Sequence, residues 1–191
     1  MKRIGLFFGS FNPIHIGHLA IANYFVEFTD LDQLWFVVSP QNPLKPRGSL
    51  LADYHRLHLV DEAIGNSPLF RSSKIEFELP KPSYTIDTLT YLTEKYPENK
   101  FILLIGADNL ESFQKWKNYQ VILDEYEIMV YPRPGYPEKF SHIQGNIRLI
   151  HAPLMEISSS FIRQSIQEGK DVSFFMPKAV SDYIQEMHFY K

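Results

Sequence analysis

Residues 5–19 read GLFFGSFNPIHIGHL. The stretch begins with a short apolar run, continues through a tight polar loop and ends at a helix entrance that carries two histidines. An apolar run that stops at a glycine is typical of a buried parallel strand. The loop and helix entrance after it favour a phosphate-binding site, because a helix N-terminus presents free N–H groups and about half a positive charge.

Strands and helices alternate along the rest of the chain. The predicted strands are residues 4–8, 34–38, 70–79, 101–105, 126–131 and 148–151. The predicted helices are residues 19–28, 50–64, 84–95, 158–167 and 177–187, with a short helical stretch that carries Leu110, Phe113 and Trp116. This alternation predicts an α/β fold: a Rossmann-like, doubly wound and mainly parallel sheet with a small C-terminal helical part. We expect one domain over residues 1–191, in which residues 158–191 form the helical subregion.

Composition excludes several classes of protein. The chain has 191 residues with a formal net charge of −3, so it lacks the broad basic face of a nucleic-acid binder. It has no cysteine, which excludes disulfides, thiolate catalysis and cysteine-ligated zinc and is compatible with a cytoplasmic location. No apolar run is long enough for a signal peptide or a membrane span, so we predict no membrane partner.

Two histidines at the helix entrance carry the chemistry. His15 and His18 are three residues apart and project to the same side of a helix. Imidazoles in that position can donate hydrogen bonds to phosphoryl oxygens as charge builds in a transition state. Gly9 lets a ligand approach the backbone, Ser10 offers a hydroxyl, and Gly17 removes bulk at the entrance. The alternatives are a helix-capping pair and a two-ligand fragment of a metal site. The stretch is not a Walker loop, because no Gly-Lys-Ser/Thr follows, and its glycine spacing does not match the dinucleotide fingerprint.

These motifs resemble those of a known family. The order Gly9-Ser10-Phe11-Asn12-Pro13 and then His15-Ile16-Gly17-His18 is similar to the signature of the nucleotidyltransferase superfamily. Class I aminoacyl-tRNA synthetases share that histidine motif, but the chain is too short for one and has no Lys-Met-Ser-Lys-Ser segment. Four further segments resemble the bacterial nicotinate-nucleotide adenylyltransferases in the same order: residues 82–89, residues 106–108 with Trp116, residues 133–135 and residues 157–163.

The resemblance implies an activity and a set of site residues. The activity is transfer of AMP from ATP to nicotinic acid mononucleotide, which gives nicotinic acid adenine dinucleotide and pyrophosphate in NAD biosynthesis. The implied catalytic residues are His15, His18 and Lys45. The implied ATP-binding residues are Gly9, Ser10, Phe11, Gly17, Ser159, Ser160 and Arg163. The implied residues for the second substrate are Tyr84, Thr85, Asp108, Trp116 and Arg133. Mg²⁺ is expected to bind mainly through ATP phosphates, with no metal ligand from the protein.

Each implied role has a structural alternative. The serines at residues 158–160 are also good N-cap residues, and Arg163 lies close to their helical turn. Thr85 and Asp108 could each cap a helix, where the resemblance instead places Thr85 with Tyr84 at the pyridine carboxylate and Asp108 at a ribose. Trp116 would stack on the nicotinate ring or belong to the core. Arg133 would face phosphate or solvent.

The basic loop at residues 41–48 departs from the family. The family more often has a histidine just before the basic residue, and this chain has Leu44 before Lys45. Lys45 is either a solvated loop charge or reaches the reacting phosphates. Two enzymatic alternatives act on nicotinamide mononucleotide or phosphopantetheine, and the non-enzymatic alternative is a catalytically silent nucleotide-binding regulator. The sequence leaves open whether the chain forms a homo-oligomer.

Overall fold

The computed structural model describes residues 1–40, 50–136 and 145–191. Leu44 and Lys45, with the predicted basic loop, lie outside the described residues, as does His142. The features reported below belong to the described ranges.

Six parallel strands form one sheet. They are β1 (Lys2–Gly9), β2 (Gln33–Val38), β3 (Phe70–Ser73), β4 (Asn99–Gly106), β5 (Glu127–Tyr131) and β6 (Ile147–Leu149). Their order across the sheet is β3-β2-β1-β4-β5-β6, the order of a doubly wound nucleotide-binding sheet. All five pairings are parallel, and β1 pairs with β2 on one side and with β4 on the other. The predicted α/β, Rossmann-like fold is confirmed.

Helices cover both faces of this sheet. They are α1 (Ile16–Phe28), α2 (Asp53–Ile64), α3 (Ile75–Glu78), α4 (Thr85–Lys95), α5 (Ala107–Glu111), α6 (Tyr119–Glu125), α7 (Ser159–Gln167) and α8 (Lys178–Glu186), with 3₁₀ turns at Phe113–Lys115 and Ser173–Phe175. One face packs against α1, α2, α7 and α8, where Phe7 of β1 lies in the same apolar cluster as Phe25 and Ile184. The other face packs against α4, α5 and α6. Successive residues of each strand supply opposite faces, since side chains alternate along a strand.

The sheet brings its loops to one edge. Because all the strands are parallel, Gly9 at the end of β1 lies on the same edge as Gly106 at the end of β4. The chain moves from β1 toward β3 on one side and from β4 toward β6 on the other, so the loops after β1 and β4 flank a crevice. Ligands of such sheets bind at this topological switch point.

The prediction for residues 70–79 was wrong in its second half. β3 ends at Ser73, and Ile75–Glu78 forms one helical turn instead of a continuing strand. The alternation of Ile75, Phe77 and Leu79 suggested a strand or an extended edge over these residues. In the helical turn, Glu76 is instead only 3% exposed. The neighbouring strand β2 ends at Val38, so a longer β3 would have had no partner for its hydrogen bonds.

Several predicted boundaries shift by a few residues. The first helix begins at Ile16 rather than residue 19, and the second begins at Asp53 rather than residue 50. Tyr84, not Thr85, is the N-cap of α4, and Pro177 is the N-cap of α8 rather than its first helical residue. The grouping of residues 158–191 as a helical subregion of a single domain stays a prediction. Among the described residues, none of the helices has the length and apolar character needed to cross a membrane.

Candidate active site

The two histidines lie together at the entrance of α1. His15 is the N-cap and is 4% exposed, while His18 is partly buried, and their ring centroids are 3.7 Å apart. The backbone N–H of His15 donates to Nδ1 of His18 at 3.3 Å. Because Nδ1 accepts this bond, neutral His18 carries its proton on Nε2, where it is a hydrogen-bond donor.

Gly17 makes room for this pair. A Cβ atom at this position would lie 3.0 Å from both Cε1 and Nδ1 of His15, so a side chain would displace the ring. Nδ1 of His15 is buried and has no hydrogen-bond partner within the described protein. A buried polar atom without a partner is rare, and functional sites are among the places where it occurs.

Both imidazoles are neutral at pH 7. Burial, with a smaller contribution from the positive charge of Arg133, lowers the pKa of His15 from 6.5 to about 4. Burial also holds the pKa of His18 well below 6.5, helped by His15 and Arg133. Each of these causes disfavours the charged imidazolium. A bound polyphosphate would supply the opposite charge and raise both pKa values again.

Phe11 and Gly9 depend on each other in the loop. Phe11 is 1% exposed, and its ring packs edge-on against Phe7, Phe36 and His18. A Cβ on Gly9 would lie 2.8 Å from this ring, so the space beside Gly9 holds Phe11. Phe11 has a left-handed backbone with a φ of 44°. The buried side chain of Phe11 therefore supports the loop from the core side, so only the backbone of Phe11 is available to contact a ligand.

Arg56 of α2 forms hydrogen bonds to the backbone of the two loops that follow β1 and β2. This residue was not identified from the sequence. It is 0% exposed, and its guanidinium donates to the carbonyls of Ser10 and Ser39 at 2.7 Å each and of Leu51 at 3.0 Å. The same group pairs with Asp53 at 2.5 Å. Ser10 itself is exposed, so its hydroxyl side of the loop faces outward while its carbonyl is held.

A sequence signal for Arg56 did exist. The buried face of α2 consists of Arg56, Leu59 and Val60, so the arginine occupies an apolar position at helical spacing. A charged residue on such a face has to be paired in the fold.

The start of α7 is tied to the same loop. Oγ of Ser159 donates to the carbonyl of Pro13 at 2.8 Å, and Nη1 of Arg163 donates to the carbonyl of Asn12 at 2.8 Å. Nη2 of Arg163 also donates to Oγ of Ser160 at 3.2 Å. The structure thus brings the second predicted phosphate segment against the first. Ser158 is the N-cap of α7, and its Oγ accepts from the N–H of Phe161.

Asp108 and Arg133 face each other across the ends of β4 and β5. Nε of Arg133 lies 3.4 Å from Oδ1 of Asp108, a buried oxygen that forms an ion pair without a hydrogen bond of good geometry. Gly106 permits this approach, since a Cβ there would lie 2.3 Å from the same oxygen. Both side chains line a cleft of about 380 Å³ that extends to Glu156 and Ser158. This cleft lies between two predicted substrate residues, Asp108 and Arg133, and the start of α7.

The remaining predicted substrate residues lie at the starts of α4 and α6. Tyr84 is 41% exposed and Thr85 opens α4. Trp116 is partly buried and packs on Phe113 with ring centroids 5.1 Å apart. Next to it, Nζ of Lys117 lies 4.7 Å from the centre of the Tyr84 ring. Lys117 therefore connects the segment that carries Trp116 to the one that carries Tyr84.

Glu76 is a second residue that the sequence prediction missed. Its carboxylate accepts a hydrogen bond from Oγ1 of Thr88 at 3.0 Å. Burial raises its pKa, although hydrogen bonds from Ser39 and Thr88 act in the opposite direction. The pattern of residues 70–79 hid it, because a strand would have turned Glu76 away from the core.

Within residues 1–40, 50–136 and 145–191, no group of three or more His, Asp or Glu side chains is arranged to hold a metal ion. His15 and His18 therefore belong to no such group of described residues. The position of the pair at the switch point and the hydrogen bonds of its loop to Ser159 and Arg163 of α7 favour the phosphate-binding interpretation.

Comparison with known proteins places the chain among related sequences. A model of the cytidylyltransferase-like family matches residues 6–165. The chain is 52% identical over 188 residues to a probable nicotinate-nucleotide adenylyltransferase of Cytophaga hutchinsonii, with 98% of each protein covered. It is 51% identical over 193 residues to the protein of the same name from Flavobacterium johnsoniae, with 99% of each covered.

Solved structures share the fold. A nicotinic acid mononucleotide adenylyltransferase of Plasmodium falciparum, solved as a complex with NaAD, superposes with a TM-score of 0.83 and 21% identity, covering 100% of this chain and 98% of the other. A protein of Vibrio parahaemolyticus described as a putative nicotinate-nucleotide adenylyltransferase superposes with a TM-score of 0.73 and 24% identity, over 100% and 96% of the two chains. At these identities, the likeness concerns the fold.

Proposed function

The chain belongs to the cytidylyltransferase-like family and, within it, to the nicotinate-nucleotide adenylyltransferases, and on that premise we propose that it transfers AMP from ATP to nicotinic acid mononucleotide. The products are nicotinic acid adenine dinucleotide and pyrophosphate, a step of NAD biosynthesis. Relatives that are about half identical over nearly the whole chain carry that name, which supports the choice of substrate.

The observation that carries the proposal is the histidine pair at the switch point. His15 and His18 stack at the entrance of α1, and His18 is held with its Nε2 proton available for donation. The loop around them is fixed from three sides by Arg56, Ser159 and Arg163. A rigid loop with outward-facing donors is what stabilisation of a charged phosphoryl transition state requires.

The reaction needs no nucleophile from the protein. An oxygen of the 5′-phosphate of the mononucleotide attacks the α-phosphorus of ATP and forms the new P–O bond. The bond from that phosphorus to the oxygen bridging to the β-phosphate breaks, and pyrophosphate leaves with its electron pair. His15 and His18 stabilise the α-phosphoryl oxygens by donating hydrogen bonds to them. Ser159, Ser160 and Arg163 at the start of α7 border the triphosphate, together with Gly9, Ser10, Phe11 and Gly17.

The acceptor side lies at α4, α5 and α6 in this proposal. The backbone N–H groups and hydroxyl at Tyr84 and Thr85 receive the pyridine carboxylate, and Trp116 stacks on the ring. Asp108 accepts from a ribose hydroxyl, and Arg133 faces phosphate across the cleft that both residues line. The proposed role of Lys45 at the reacting phosphates stays a prediction, since Lys45 lies outside the described residues.

Mg²⁺ is part of the proposal as a companion of the nucleotide. The described residues provide no cluster of acidic side chains for it, so ATP phosphate oxygens and water are its expected ligands. When bound, the ion neutralises charge on the leaving pyrophosphate. A cytoplasmic location also stays a prediction, and whether the chain forms a homo-oligomer stays open.

A pyrophosphate-release assay tests the function. Purified protein is incubated with ATP, Mg²⁺ and, in parallel, nicotinic acid mononucleotide, nicotinamide mononucleotide or phosphopantetheine. We expect rapid pyrophosphate release with the acid mononucleotide and a much lower kcat/KM with the other two. A preference for the amide or for phosphopantetheine would overturn the substrate, and no release with any acceptor would favour a silent nucleotide-binding regulator.

A further inference from the structure

We propose that Tyr190 is a positioning residue for the proposed reaction, because its hydroxyl fixes the loop that carries the two histidines through a hydrogen bond to Asn12. Tyr190 lies after α8, far along the chain from the loop. The inference rests on the proposed function, since it attributes part of the catalytic rate to the positioning of this loop by Tyr190. It concerns a residue outside all the motifs that the sequence singled out.

Asn12 is the point where distant segments hold the loop. Its side chain is 3% exposed, and it lies three residues before His15. Oδ1 of Asn12 accepts from the hydroxyl of Tyr190 at 2.7 Å and from the backbone N–H of Leu51 at 3.2 Å. Its carbonyl accepts from Arg163 at 2.8 Å. These donors lie 178, 39 and 151 positions away in sequence, so tertiary structure alone brings them to the loop.

The hydroxyl of Tyr190 belongs to a connected network. Leu51 donates to Asn12 through its N–H and accepts from Arg56 through its carbonyl, and Arg56 also holds the carbonyl of Ser10. The hydrogen bonds to Asn12 and Ser10 therefore hold the loop in place on both sides of Phe11. Burial raises the pKa of Tyr190, so the phenol stays protonated and remains a donor.

The segment around Tyr190 is itself held in an unusual conformation. His188 and Tyr190 both have left-handed backbones, with φ of 54° and 64°. Such angles are unfavourable for residues with a Cβ and persist when surrounding contacts impose them. Between the two, the N–H of Phe189 donates to the carbonyl of Ile184 at 3.0 Å, and its ring packs on His55 of α2 at 4.6 Å. These contacts fix the direction in which the Tyr190 hydroxyl points.

Tyr190 is also the member of this network that can be tested cleanly. Leu51 donates through its backbone, which no side-chain substitution removes. Arg163 is already proposed to border the triphosphate, so its loss would combine two effects. Tyr190→Phe deletes one oxygen and keeps the ring. Tyr183→Phe is the matched control, because that hydroxyl is paired with Nδ1 of His55 at 2.9 Å rather than with Asn12.

Two measurements test the proposal. The first is steady-state kinetics with ATP and nicotinic acid mononucleotide: we expect Tyr190→Phe to lower kcat about 10-fold with both KM values within about twofold, because misplaced donors weaken transition-state binding more than substrate binding. Tyr183→Phe should keep the wild-type kcat. The second is hydrogen exchange of the peptide that covers residues 9–18, which should become faster in Tyr190→Phe and not in Tyr183→Phe.

The outcomes separate the two proposals. If Tyr190→Phe has the wild-type kcat and wild-type exchange in residues 9–18, Tyr190 is not a positioning residue. Equal losses in both tyrosine variants would assign only a general structural role and would also overturn the proposal. If the wild-type protein forms no dinucleotide at all, the proposed function fails, and unchanged exchange in residues 9–18 of Tyr190→Phe would then show that the loop does not depend on this bond either.

Discussion

The loop between β1 and α1 and the corner formed by the starts of α4 and α6 are built in opposite ways. In the loop, Phe11, Asn12 and His15 are all below 5% exposed, and a fully buried arginine clasps it. In the corner, Tyr84 is 41% exposed, and Lys117 pairs with Asp87 at the surface. Surface ion pairs contribute about 1 kcal/mol at most. In the proposed function, the donors for the phosphoryl group are therefore pre-organised, while the part that admits the second substrate is left open.

The largest expected effect tests the loop directly. His18→Ala should lower kcat about 100- to 1000-fold, because in the proposed function His18 is a pre-organised donor to the α-phosphoryl oxygens. Steady-state pyrophosphate release measures this. The matched control is His58→Ala, since His58 is half-exposed on α2 and pairs with Glu62 away from the loop. Near-normal turnover of His18→Ala would show that the loop takes no part in catalysis and would contradict the proposed difference between the two regions.

The second prediction concerns how the free energy of unfolding depends on pH, since this dependence shows whether His15 is buried as the neutral imidazole. Because burial lowers the pKa of His15 from 6.5 to about 4, the unfolded chain binds the extra proton between these values. The free energy of unfolding should therefore be highest above pH 6.5 and fall as pH drops toward 4, by up to about 3 kcal/mol from His15 at about 1.4 kcal/mol for each unit of pKa.

Urea unfolding between pH 4 and 7 checks this, with the difference between wild type and His15→Gln as the readout. The glutamine variant should lose about 3 kcal/mol of the pH dependence at most. Parallel curves for wild type and His15→Gln would mean that His15 titrates normally and is not buried as neutral imidazole.

The smallest effect tests the corner. Trp116→Ala should raise the KM for nicotinic acid mononucleotide about 10-fold and leave kcat and the KM for ATP close to wild type, because stacking on a flat ring contributes about 1 kcal/mol beyond the buried area. Trp116→Phe keeps an aromatic face and should lie near wild type. A loss in kcat without a change in KM would place Trp116 with the rigid loop and erase the proposed division between the two regions.

Local patterns in the sequence determined the architecture and the place where phosphate binding is expected, while the reaction itself came from the resemblance to a known family. Apolar runs that end at Gly9 and Gly106, separated by helical stretches, were enough to predict a doubly wound sheet and the edge where its loops meet. This works because a strand buried on both faces and a helix each have their own hydrophobic period. The pair of His15 and His18 was also recognisable from the sequence, because residues three apart lie within one helical turn.

Contacts between distant segments were decided only by the tertiary structure. Three hydrogen bonds are examples: Arg56 to Ser10, Tyr190 to Asn12, and Thr88 to Glu76. Sequence spacing does not determine any of these partners. Their physical cause is that a buried polar group must find a partner, and the packed fold determines which one lies within reach. The sequence by itself therefore determined where the phosphate chemistry is expected, and the fold decided how rigidly its loop is held.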